Sequence, residues 1–304
     1  MKKSVYRLML GGLVTLLVAL ALISMCIGRY AISISDVVRI LLSRIADISQ
    51  TWEDMAESVV FTLRVPRIVG AMMVGGALAL SGAAYQGVFK NPLVSPDLLG
   101  VSSGACVGAA LAILMGLGSG GVQLFAFVAG IVTVCVTALV PRFLKNNSMT
   151  MLVLSGVIVS GIMNSFMGII KYLADPETEL AEITYWQMGS LAKVTPGDLA
   201  TILPTVLIGS FVIIIIRWRI NILSLGEAEA KSLGVHTGRV RGVIILCATL
   251  LTACSVCLCG TIGWVGLVIP HMGRMLADGL GHEIDMQAAH MWYSRALDAF
   301  HAVE

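Results

Sequence analysis

Residues 63–105 read LRVPRIVGAMMVGGALALSGAAYQGVFKNPLVSPDLLGVSSGA. No charged side chain occurs from Ile68 to Phe89; Lys90, Asn91 and Pro92 then interrupt, and a second uncharged run covers 98–141. About 20 apolar residues carry a helix across a hydrocarbon core of about 30 Å. The first run therefore predicts one membrane-crossing helix. The second is long enough for two, with the glycine-rich GLGSGG at 116–121 as the place to fold back. Pro92 cannot continue the first helix, because it lacks an N–H and biases Asn91 toward extended backbone. Ser95, Pro96 and Asp97 predict the start of the next one: a capping hydroxyl, a proline at the first helical position and an acid at the positive end of the helix dipole. Residues 90–95 are then a non-helical link, which at membrane depth is tolerated only against protein or water.

The same alternation runs through the chain. Of its 304 residues 57% are hydrophobic and 12% charged, about half the charged fraction of a soluble domain, and mean hydropathy is +0.91. Further uncharged runs cover 8–28, 146–170, 199–216 and 242–273. Together they predict an all-α polytopic membrane protein of eight spans starting near residues 8, 67, 96, 122, 149, 199, 240 and 264. MKKSVYR before the first run resembles a signal peptide, but no small-x-small cleavage site follows, so the first helix reads as retained.

With the N-terminus inside, the cytoplasmic segments hold Lys2, Lys3, Arg7, Lys90, Arg142, Lys145, Arg217, Arg219, Lys231, Arg239, Arg241 and Arg274. The outer ones hold Arg29, Arg39, Arg44, Arg64, Arg67, Lys171 and Lys193. Twelve against seven obeys the positive-inside rule and predicts a cytoplasmic N-terminus in a bacterial cytoplasmic membrane.

Spans two to seven carry no Asp, Glu, Lys, Arg or His well inside their apolar runs. Intramembrane ionisable groups mark proton, sodium or substrate relays, so an ion-coupled secondary transporter is the weaker reading. No G-x-x-x-x-G-K-[ST] loop occurs, so uphill transport would draw on another subunit for ATP hydrolysis. Gly100-Val-Ser102-Ser-Gly104 fits the G-x-S-x-G pattern, but a nucleophile elbow needs a strand before it and a histidine base in reach. An intramembrane serine hydrolase with His271 as base is the remaining enzyme reading. His271 alone is read as a packed, hydrogen-bonded side chain. Cys254, Cys257 and Cys259 are read as small packing residues rather than a metal site. Gly100, Gly104 and Gly108, at four-residue spacing, predict a helix-packing face in span three.

Four stretches in order resemble one family. They are the quoted segment 63–105, YWQMGSLAKVTPGDL at 185–199, LGEAEAKSLGV at 225–235 and GTIGWVGLVIPHMGRML at 260–276. Together they resemble the FecCD-type, BtuC-like permeases, the membrane subunits of ABC importers for ferric siderophores, haem and cobalamin. The resemblance implies a homodimer with its pathway at the dimer interface, two cytoplasmic ATPase subunits that use ATP and Mg, and an extracytoplasmic substrate-binding protein. It implies no enzyme activity or cofactor in this chain and no nucleic-acid partner. It makes Asn91, Pro92 and Leu93 the cytoplasmic gate, and gives Arg64 and Arg67 to docking of the binding protein. Leu225, Gly226, Glu227, Ala230, Leu233 and Gly234 fall in the loop that couples to the ATPase. In that loop Gly234 is placed to end a short helix. The resemblance stops after ADGLGHE. The sequence thus predicts a permease domain over 1–283 with eight of the family's ten spans, and a polar tail over 284–304, the product of a truncation or frameshift, in place of the last two.

Overall fold

The computed structural model describes residues 3–146, 148–225 and 227–279, and among them all regular structure is helical. The expected boundary at 283 and the tail at 284–304 lie outside the described residues.

All eight expected spans are helices, but of two kinds. Six are long and apolar enough to cross a membrane: α1 (Lys3–Cys26), α4 (Val65–Phe89), α6 (Ser119–Phe143), α7 (Met149–Leu173), α9 (Pro196–Leu225) and α11 (Thr237–Cys259). Two are shorter, α5 (Val101–Leu114) and α12 (Val265–Gly279). At 1.5 Å per residue they extend only about 21–23 Å. Short helices α2 (Ile34–Leu42), α3 (Asp54–Ser58) and α8 (Glu179–Met188) fill connections between spans, and α10 (Glu227–Ser232) follows α9.

α11 lies at the centre, with every residue from Leu251 to Gly260 buried. Its cysteines show why thiols suit it. The Cys257 Sγ donates to the Cys254 carbonyl at 3.2 Å and the Cys259 Sγ to the Ser255 carbonyl at 2.9 Å, so each thiol is absorbed by its own helix. α1 is the opposite case: most of its apolar side chains are exposed, as befits a helix facing lipid. A separate small cluster of Ile32, Val37, Ile40, Trp52, Ala56 and Val60 ties α2 and α3 to the start of the second span.

Span two enters through a wide π-turn, Val59–Arg64, before Pro66 at the beginning of α4. Proline cannot donate to the carbonyl one turn back, and single wide turns of this kind accommodate such breaks. α12 begins after Trp264, whose φ of +69° lies in the left-handed region. The Trp264 carbonyl accepts from Leu267 N–H at 3.0 Å and Val268 N–H at 2.8 Å, so this residue forms the first turn of the helix.

Candidate functional site

The turn after α4 is built from the helix end upward. Lys90 caps α4 in left-handed geometry (φ 52°, ψ 33°), and its N–H and that of Asn91 both donate to the Gln86 carbonyl. Asn91 Oδ1 accepts from Leu93 N–H at 2.9 Å, an Asx turn, while the Asn91 carbonyl accepts from Val94 N–H at 3.3 Å. Pro92 sits at the second position of this turn, where its fixed φ is favourable. Asn91, Pro92 and Leu93 are all exposed, Leu93 at 72%, whereas Val94 next to them is buried at 5%. A leucine held outward on a locked turn is poised for contact rather than for the core of its own chain.

Gln86 does the locking. This amide is 4% exposed, and its Nε2 donates to the Val94 carbonyl at 3.2 Å and to the Leu267 carbonyl of α12 at 3.1 Å. Its Oε1 accepts from the Arg274 guanidinium. The turn, α4 and α12 therefore share one hydrogen-bonded residue. Six residues before Asn91, the buried Tyr85 hydroxyl lies 3.3 Å from Thr249 Oγ1 of α11. Neither Gln86 nor Tyr85 stands out in a search for charged groups. The available signal was that a side-chain amide in a run of Gly and Ala must find partners when buried.

The link to span three differs from the sequence expectation. Ser95, Pro96 and Asp97 do not open the spanning helix. They form a separate 3₁₀ turn, Pro96–Leu99, in which Ser95 Oγ accepts from Asp97 N–H at 3.3 Å. Gly100, at φ +84°, then reverses the chain and α5 starts at Val101. A left-handed residue at this point is what separates the turn from the helix, and glycine alone adopts it without strain. Gly100 reverses the chain and also packs closely, since a Cβ on it would lie 3.2 Å from Thr133 Cγ2 of α6 and 2.8 Å from Ser160 Oγ of α7. Gly104 and Gly108 continue the close approach along α5. A Cβ on Gly104 would lie 2.0 Å from Thr133 Oγ1, and one on Gly108 2.3 Å from the Phe125 carbonyl oxygen, so α5 and α6 touch backbone to backbone. Thr137 Oγ1 of α6 donates to the Leu99 carbonyl at 3.0 Å, holding the 3₁₀ turn against the same helix. Ser102 donates to Asp97 at the start of α5, with no strand before it.

At the opposite end of α4 the two arginines part company. Arg64 is buried, and its guanidinium donates to the Met25 carbonyl in the last turn of α1 and to the Tyr30 carbonyl beyond it. It is engaged inside its own chain. Arg67 is exposed and donates through Nε and Nη2 to the Ala192 carbonyl, at 3.1 and 2.8 Å. Three residues apart, they line the same recess with Gly28, Tyr30 and Leu191, Arg64 buried within the chain and Arg67 exposed. Nearby connections present further polar groups. Lys193 lies 5.1 Å from the Tyr185 ring centre. Asp175 accepts from the N–H groups of Glu177 and Thr178, which holds its carboxyl below the ordinary range.

The segment after α9 behaves as its sequence suggests. Leu225 ends α9, Glu227 begins α10, and Gly226 between them lies outside the described residues. Gly234 has φ +75°; its N–H donates to the Lys231 carbonyl at 3.0 Å, and Val235 N–H to the Ala230 carbonyl at 2.9 Å. This is the paired bonding of a Schellman motif. Ala230 is fully buried and Leu233 is 61% exposed. A Cβ on Gly87 of α4 would meet Ile220 of α9 at 2.6 Å, so this segment and the Asn91 turn emerge at the same end of the bundle. His271 Nδ1 is buried with no hydrogen-bond partner among the described residues, unlike the satisfied side chain expected.

Comparison with known proteins places this arrangement. Residues 16–287 match the model of the FecCD transport family. The chain is 38% identical over 283 residues to the molybdate import system permease protein MolB of Haemophilus influenzae, covering 93% of this chain and 83% of that one. It is 34% identical over 281 residues to the hemin transport system permease protein HmuU of Yersinia pestis, covering 88% and 79%. A solved structure described as an inward-facing conformation of a metal-chelate type ABC transporter superposes with a TM-score of 0.78 at 39% identity, over 90% of this chain and 82% of that one. The chain belongs to the FecCD transport family and is a permease of the ABC importer type.

Proposed function

We propose that two copies of this chain enclose the pathway of an ATP-driven importer for a metal-containing solute handed over by a substrate-binding protein. The named relatives carry molybdate and hemin, and others carry iron chelatin and cobalamin. The solute class is therefore a metal held in a chelate or an oxyanion. An iron-siderophore, haem or cobalamin belongs to the first kind. With the N-terminus inside, the Asn91 turn and the 225–234 segment face the cytoplasm and the Arg67 end faces outward.

One observation carries this reading: exposed Leu93 on a turn locked by Gln86, at the same end as exposed Leu233 on a capped helix. The first closes the pathway against its counterpart on the second copy. The second seats on the ATPase, which supplies ATP and Mg chemistry that this chain lacks the loop to perform. Arg67 receives an acidic side chain of the binding protein, for which a planar guanidinium is well shaped. Arg64 supports that face from beneath.

The test is reconstitution of the chain with its ATPase and binding protein in proteoliposomes. Uptake of labelled molybdate, ferric siderophore, haem or cobalamin should require ATP inside and the binding protein outside. Uptake that follows an ion gradient without ATP would contradict the reading.

A further inference from the structure

A second feature lies away from the gate and the docking end. Between α6 and α11 runs a groove of about 550 Å³, closed at one end by the first turn of α7. Its walls are apolar and small. Val134, Cys135 and Ala138 follow one another on one face of α6, opposite Gly242, Ile245 and Leu246 on one face of α11. A Cβ on Gly242 would meet nothing within 4 Å, so the groove is open in front of that helix.

One end is cationic. Arg142 and Arg241 both line it, together with Ser148, which caps the 25-residue α7, and Gly238 in the first turn of α11. Two helix amino-termini and two guanidiniums converge there, each favouring negative charge, beside the carbonyl end of α6. Arg241 also has a partner within the chain, so among the described residues Arg142 is the unengaged cation. Arg142 is exposed and makes no side-chain hydrogen bond or ion pair with the described residues. The groove follows α6 from Arg142 to Ile131, eleven positions. That is about 16 Å at 1.5 Å per residue, or about half of a hydrocarbon core. The shape is that of a diacyl lipid in one leaflet: an anionic head at the arginines and an acyl chain along the wall.

We propose that this groove is a binding site for an anionic phospholipid. On the orientation given above, the leaflet is the cytoplasmic one. Basic recesses between spanning helices are suited to such headgroups, and two arginines fit a phosphodiester better than a zwitterionic head with its own cation. The inner end of the groove reaches Thr249, the partner of Tyr85, which lies six residues before Asn91. Occupancy therefore bears on the gate as well as on the fold.

The test uses the full chain in vesicles containing phosphatidylglycerol or phosphatidylcholine with a photoreactive diazirine on the acyl chain, with adducts mapped by mass spectrometry. Phosphatidylglycerol should label α6 and α11 at Cys135, Ile245 or Leu246, and phosphatidylcholine should label them roughly tenfold less. R142Q with R241Q should remove that preference. G242F should remove labelling by both lipids while leaving the arginines in place. R142Q alone, at an exposed position, keeps the measurement decisive if the double variant fails to fold. Equal labelling by both lipids overturns the proposal. So does absence of labelling from either lipid, the result expected if a second copy or residues 280–304 fill the groove.

Discussion

The Gln86 side chain donates to the Val94 carbonyl at 3.2 Å, across the exposed Asn91-Pro92-Leu93 turn that separates the two residues in sequence. The same amide holds the Leu267 carbonyl and accepts from Arg274. Position of the turn is thereby tied to position of α12. Replacing Gln86 with Leu should leave two carbonyls and a guanidinium without this partner, each loss worth about 1–3 kcal/mol when the group stays buried. Thermal unfolding in detergent should fall by several degrees. Gln86→Glu keeps the acceptor for Arg274 but sets a carboxylate oxygen against the Val94 and Leu267 carbonyls, and should also lower it.

Gly104 and Gly75 make a controlled pair. A Cβ at Gly104 collides with Thr133, whereas one at Gly75 meets nothing within 4 Å. Gly104→Ala should separate α5 from α6 and lower the yield of folded protein sharply. Gly75→Ala should be neutral, or stabilising by up to about 1 kcal/mol from helix propensity. Size-exclusion profiles and melting curves of the two variants measure the contrast.

The two arginines should separate stability from docking. Arg64→Ala removes a buried guanidinium that holds the Met25 and Tyr30 carbonyls, and should cost about 2–4 kcal/mol, the range for charge-assisted bonds lost from a buried site. Arg67→Glu, at an exposed position, should change stability by less than about 1 kcal/mol. It should abolish the stimulation of ATP hydrolysis by the binding protein while leaving basal hydrolysis unchanged. Stimulation retained in Arg67→Glu would remove the docking role from this residue.

Gly234→Ala places a Cβ at φ +75°, a left-handed position that disfavours other L-residues by about 1–2 kcal/mol. It should loosen the end of α10 and reduce coupled transport more than basal ATP hydrolysis. Leu233→Cys should cross-link to the ATPase.

Much of this architecture was legible in the residues. Charge-free runs marked all eight spans, because a charged side chain in hydrocarbon is expensive and its absence is a reliable sign. Gly234 as a helix end was readable for a local reason: the bonds that define it lie within five residues. What the sequence concealed was tertiary. Gln86 and Arg274 meet across 188 positions, and nothing local selects that pairing. Arg64 and Arg67 belong to one short pattern, yet the Met25 and Tyr30 carbonyls cover Arg64 while Arg67 stays exposed. Residues 95–100 carried a capping serine and a helical proline, but Gly100 ends that turn before α5 begins; a glycine after two leucines was the signal for it. α2, α3 and α8 went unread because elements of five to ten residues fall between the charge-free runs; α2 is amphipathic, burying Val37 and Ile40, but is too short to stand out from a loop.

The central claim is that the Asn91 turn closes the pathway between two copies. Its most direct measurement is inter-subunit cross-linking of Asn91→Cys and Leu93→Cys, each in a Cys135→Ser background that removes an exposed native thiol. The purified permease–ATPase complex is oxidised without nucleotide, with a non-hydrolysable ATP analogue and with trapped ADP. The account expects dimers at both positions in the closed state, with a yield that changes several-fold between nucleotide states. Failure to cross-link in every state, in a complex that still transports, would contradict it.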